Sequence, residues 1–134
     1  MKFDRLAFDS NAAIDLLRQD RPSPLPFAEA SALVMPIFVL AELRLGFSRA
    51  NLNELLEELV TVSIVIAPDA ATVDHYVATR NAMLRARTIP ARREAQEGLS
   101  HDIWIAALCL QHDLPLLTND HDFDDVGGLR VIRW

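Results

Sequence analysis

Leu6-Ala-Phe-Asp-Ser-Asn-Ala-Ala-Ile-Asp-Leu-Leu17 is the stretch that decides the fold. Its first three residues are an unbroken apolar run, and from residue 11 to 18 apolar side chains recur at helical spacing. A strand that runs directly into a helix opens a β-α-β unit, whose strands pair in parallel. Between the two stands Asp9, at the carboxyl end of a strand, where open α/β sheets bind their ligands.

The same alternation continues outward. Short apolar, β-branched runs occur at 32–35, 62–67, 116–118 and 129–132, with helical periodicity over 38–47, 52–60, 70–87 and 99–111. This predicts an α/β fold with a mostly parallel sheet and helices on both faces. Arg21-Pro-Ser-Pro-Leu-Pro26 ends the first helix, Asp69 offers an N-cap after Pro68, and Gly127-Gly128 turns the chain into the last strand. No repeat or linker interrupts the 134 residues, so residues 1–134 are expected to form a single domain.

Cys109 is the only cysteine, which excludes a disulfide framework and a cysteine metal site and favours a reducing compartment. Asp4 interrupts any signal-peptide core, and no apolar run approaches the roughly 20 residues of a membrane span. A cytoplasmic protein is expected. Net charge is −6, which argues against a nucleic-acid partner only on average. Between residues 80 and 93 there are five arginines and no acid, so Arg80, Arg85 and Arg87 are candidates for guiding a polyanion. A solvated helix flank is the competing explanation.

Four acids stand where acids are costly. Asp9 is either a helix N-cap or a ligand. Glu42 lies in Phe38-Val-Leu-Ala-Glu-Leu-Arg-Leu-Gly-Phe47, with Phe38, Val39, Leu45 and Gly46 as same-face neighbours on a helix. There it would stay protonated, pair with a cation such as Arg44, or bind a metal. Asp102 repeats that pattern in Asp102-Ile-Trp-Ile-Ala-Ala-Leu-Cys-Leu110, with Gly98, Leu99, Ile105 and Ala106 on its face. Asp120 follows the apolar run 116–118 and opens Asp120-His-Asp-Phe-Asp-Asp125, whose acids also suit turn capping. Asp122 ranks below Asp120, as a fifth ligand or a supporting group. Carboxylates gathered in one place repel, a divalent cation relieves the repulsion, and oxygen donors favour Mg²⁺ or Mn²⁺ over zinc.

Missing residues narrow the chemistry. A phosphoryl-accepting aspartate after the first strand needs a steadying lysine, but Lys2 is the only lysine and precedes that strand. No Gly-rich loop leads to Lys-Ser/Thr, and no Gly-x-Ser-x-Gly elbow exists. His75, His101, His112 and His121 are scattered, although His101 and His121 adjoin proposed ligands.

With these motifs in order, the chain resembles the PIN-domain ribonucleases, and specifically the VapC toxins of toxin–antitoxin pairs. The resembling segments are Leu6 to Leu17, Val39-Leu-Ala-Glu-Leu-Arg-Leu-Gly46, Asp102-Ile-Trp-Ile-Ala-Ala107, Leu114-Pro-Leu-Leu-Thr-Asn-Asp-His-Asp-Phe123 and Leu129-Arg-Val-Ile-Arg-Trp134. The departures are mild: Ala12-Ala13 replace larger aliphatics, and 92–98 is a polar stretch. The resemblance implies a five-stranded α/β/α sandwich, with Asp9, Glu42, Asp102 and Asp120 as an acidic quartet supported by Ser10 and Thr118. It implies hydrolysis of RNA by a water activated by Mg²⁺ or Mn²⁺, homodimerisation, and inhibition by a VapB-like antitoxin. Leu52, Leu55, Leu56 and Leu59 form an apolar stripe that is either core or the wall of a groove for an amphipathic antitoxin segment. Two rivals remain at this stage: a non-catalytic interaction module, and a metal phosphohydrolase acting on another substrate.

Overall fold

The structure, a computed structural model, describes residues 2–18, 24–47, 53–85 and 97–134. Its elements are β1 (Phe3–Phe8), α1 (Ser10–Leu17), α2 (Leu25–Ala28), β2 (Ala30–Pro36), α3 (Ile37–Phe47), α4 (Asn53–Val62) and β3 (Ser63–Ile66). There follow α5 (Ala70–Arg85), α6 (Glu97–Gln111), β4 (Leu116–Leu117), a 3₁₀ turn (His121–Phe123) and β5 (Val131–Ile132).

All five strands are parallel, in the order β3-β2-β1-β4-β5. The chain steps outward from β1 to β2 and β3, then crosses back to place β4 on the other side of β1. Right-handed crossovers put the helices of the outward steps on one face and those of the return on the other. Packing agrees: α1 lies on α3 and α3 on α4, whereas α5 lies on α6. The result is an α/β/α sandwich.

β1 needs its apolar run because it is covered on both faces, and Leu6, Ala7 and Phe8 are fully buried. Ala7 is in register with Val34 of β2 and Leu116 of β4. Met35, Val39, Leu43, Ile105, Leu108 and Leu117 continue the core, and Phe27 meets Phe8 edge-on at 5.3 Å. Cys109 belongs to this core, and burial pushes its thiol up to about 12. Among the described residues no helix is long and apolar enough to cross a membrane.

Several boundaries differ from the sequence expectation. β1 begins at Phe3 because Phe3 pairs with Ala30. α4 continues to Val62, so β3 starts one residue later than expected. α2 was not anticipated, whereas the turn expected within Asp120 to Asp125 takes the form of a 3₁₀ turn capped by Asp120. The helix hides in a proline-rich stretch, where Pro26 is tolerated near a helix start.

Candidate active site

The carboxyl end of β1, beside that of β4, is where strand order reverses, and a crevice forms at such a point. Asp9 leaves β1 there, and its N–H donates to the Leu117 carbonyl of β4 (3.2 Å). Its Oδ1 caps α1 by accepting from the Ala12 N–H (2.9 Å), and its Oδ2 accepts from the Thr118 hydroxyl. The N-cap role and a place among the acids therefore coexist on one side chain. Burial holds the Asp9 carboxyl above its usual range. The Thr118 and Ala12 hydrogen bonds oppose that rise, and Asp120 and Glu42 add to it.

Thr118 is fully buried and serves two acids, because its hydroxyl also accepts from the Asp120 N–H (3.0 Å). Asp120 then caps the 3₁₀ turn through Oδ1, which accepts from the Asp122 N–H (2.9 Å). Asp102 projects from the second turn of α6, past the capping positions. Its carboxyl is pushed up to about 7, first by burial and then by the charges of Asp120, Asp122, Glu42 and Asp9. One carboxylate oxygen each from Asp102, Asp120 and Asp122 lies within 4.8 Å of the others. Asp122, ranked below the quartet from sequence, thus stands in the tightest cluster.

Glu42 requires a correction. Its expected burial on an apolar face does not occur: the side chain is exposed, and Leu45 is 80% exposed. The buried stripe of α3 is Val39, Leu43 and Phe47. Because α3 is apolar almost all round, spacing alone did not show which side meets the sheet. Glu42 accepts from the Ser10 hydroxyl (2.6 Å), whereas Arg44 pairs with Glu57 of α4. Ser10, the residue following Asp9, thereby ties the glutamate to the start of α1.

The histidines separate. His101 packs on Phe38 at 5.7 Å between ring centroids, in a column continued by Trp104 and Tyr76. His121 Nδ1 lies 2.9 Å from Asp124 Oδ2. Arg80 is half-buried on α5 and Arg85 is exposed at its end, while Arg87 and most of 80–93 lie outside the described residues. Sequence reasoning missed Arg133 and Asp124, whose contacts beside the acids appear only in the folded chain.

The PIN domain family model matches residues 6–129. Ribonuclease VapC5 of Mycobacterium tuberculosis is 31% identical over 101 residues, spanning 72% of this chain and 73% of that protein. In fold, the chain is similar to VapBC2 from Rickettsia felis, solved bound to a promoter DNA fragment (TM-score 0.75, 18% identity, 97% and 98% of the two chains). It is likewise similar to VapBC-1 from nontypeable Haemophilus influenzae (TM-score 0.73, 24% identity, 97% and 98%).

Proposed function

The chain belongs to the PIN-domain family, in its VapC-type branch, and from that premise we propose that it is a divalent-metal-dependent endoribonuclease, the toxin of a toxin–antitoxin pair. The observation that carries this is the gathering of acids at the strand-order reversal, where burial first, and the neighbouring carboxylate charges after it, push Asp102 up to about 7. Unrelieved, that cluster is an electrostatic cost, and a cation is what the donor set fits. The donors are all carboxylate oxygens, which suit Mg²⁺ or Mn²⁺.

Asp102, Asp120 and Asp122 would hold the ion, with Asp9 and Glu42 beside them. When bound, such an ion supplies charge neutralisation at the phosphate and an attacking water acidic enough to ionise at neutral pH. The chain's own residues do the positioning. Thr118 fixes the orientation of Asp9 and the backbone of Asp120 together, and Ser10 turns Glu42 toward the same end of the sheet. Attack by water rather than by the 2′-hydroxyl predicts 5′-phosphate and 3′-hydroxyl products.

Two surfaces support the partners. Leu16 and Leu17 of α1, Leu25 and Phe27 of α2, and Leu55 and Leu59 of α4 line an apolar groove of about 490 Å³. Its acidic rim residue Glu58 suits an amphipathic antitoxin helix with flanking basic residues. Leu56 turns into the core, and Leu52 lies outside the described residues. Exposed Val73 and Val77, one turn apart on α5, are proposed to meet a second copy.

The test is cleavage of an RNA panel, with DNA and small phosphate esters as controls, in Mn²⁺, in Mg²⁺ and in EDTA. We expect cleavage of RNA only, abolished by EDTA. Asp9→Ala or Asp102→Ala should reduce it at least about 100-fold in folded protein. Undiminished cleavage by either variant would refute the site, and absence of Mn²⁺ binding would favour the non-catalytic module.

A further inference from the structure

Asp120 ends the short connection that leaves β4, and Asp122 lies in the 3₁₀ turn that follows; surface connections of this kind do not hold carboxylates in place unaided. This connection is stitched along its length to residues 132–134. The Thr118 N–H donates to the Ile132 carbonyl (3.0 Å). Asn119 exchanges hydrogen bonds with the Trp134 backbone, accepting from its N–H (3.3 Å) and donating to its carbonyl (3.4 Å). The Arg133 guanidinium then spans the segment. One arm donates to the Thr118 carbonyl (3.2 Å), and the other donates to Asp124 Oδ1 and lies 3.5 Å from His121 Nδ1.

The two anchor points bracket both acids, since Asp120 and Asp122 lie between Thr118 and Asp124. The first anchor is also the residue whose hydroxyl serves Asp9 and Asp120. We infer that Arg133 is a positioning residue for the acid-bearing segment: its planar fork holds residues 118 and 124 so that Asp120 and Asp122 face Asp102. This rests on the metal-site reading above.

A plain surface ion pair is the alternative. Arg133 and Asp124 are 35% and 42% exposed, and as a pair at that exposure they would contribute little to stability. The second arm decides against it. A guanidinium can reach a carbonyl and a carboxylate at once with fixed angles between its donors, which an ammonium cannot. Partners in the shell outside metal ligands typically change affinity 10- to 100-fold when removed.

The experiment is calorimetric titration of full-length protein with Mn²⁺ alone, for wild type, Arg133→Gln, Arg133→Lys and Asp124→Asn. Thermal unfolding in EDTA is measured beside it. Arg133→Gln and Asp124→Asn should each weaken Mn²⁺ binding by about tenfold or more while unfolding close to wild type. Arg133→Lys should recover only part of the loss. If Arg133→Gln fails to fold, Asp124→Asn opens the same clamp from its other side and is read instead. Affinity within twofold of wild type in a folded Gln or Asn variant overturns the inference and leaves the nuclease reading standing, as does full recovery by lysine. Wild-type protein that binds no Mn²⁺ overturns both.

Discussion

Asp102 titrates inside the range in which proteins are handled. Its carboxyl moves from 3.8 to about 7 on folding, so between those values the folded chain keeps a proton that the unfolded chain has released. The stabilisation this gives is complete below about pH 4 and is lost as pH rises through about 7. Asp9, also raised, contributes with the same sign. Metal-free protein should therefore lose several degrees of Tm between about pH 5 and pH 8, and Asp102→Asn should remove most of that slope. A Tm that climbs across this window in EDTA would contradict the placement of Asp102. Mn²⁺ affinity should rise through the same window, because ion and proton compete for the same oxygens. At this scale Asp9 and Asp102 stood out in sequence, since an acid at a strand end or amid a helix's apolar residues is locally anomalous. Asp122 did not, because in sequence it is one of several acids in a turn.

Between elements, the polar network joining α5 to α6 determines how firmly the helix bearing Asp102 is seated. Thr72 is fully buried in the first turn of α5, and its hydroxyl accepts from the Asp69 N–H and contacts Gln111 Oε1 at the end of α6. Gln111 Nε2 also donates to Asp69 Oδ1 (2.8 Å). Thr72→Val keeps the volume but removes the buried hydroxyl from its contacts with exposed Asp69 and half-buried Gln111, at a cost of about 0.5–1.5 kcal/mol. Denaturant unfolding should show a lower midpoint at unchanged m. A midpoint equal to wild type would mean that water replaces the hydroxyl. Asp69 as a cap was legible from its place after Pro68. Its partner Gln111 was not, since only the packing of α5 on α6 brings the two together.

For the molecule as a whole, a net charge of −6 raises the question of how a polyanion approaches. Asp102, Asp120 and Asp122 gather at one end of the sheet, and an ion bound there would offset part of that charge. Arg85, exposed at the end of α5, lies outside the cluster. If it meets a phosphate, Arg85→Ala should weaken RNA binding and reduce the slope of log affinity against log salt by about 0.7–1. An unchanged slope would remove it from the binding surface.

The alternation of strands and helices, and the acids at strand ends, were readable from sequence because periodicity and chain breaks are short-range properties of the backbone. Which acids meet was decided by tertiary structure. The return crossover lays β4 against β1, setting Asp9 beside Thr118 across 109 positions of chain. The same geometry exposed Glu42, drew in Asp122 and brought Arg133 over the loop. Such meetings depend on strand order and register, and no local spacing carries that information.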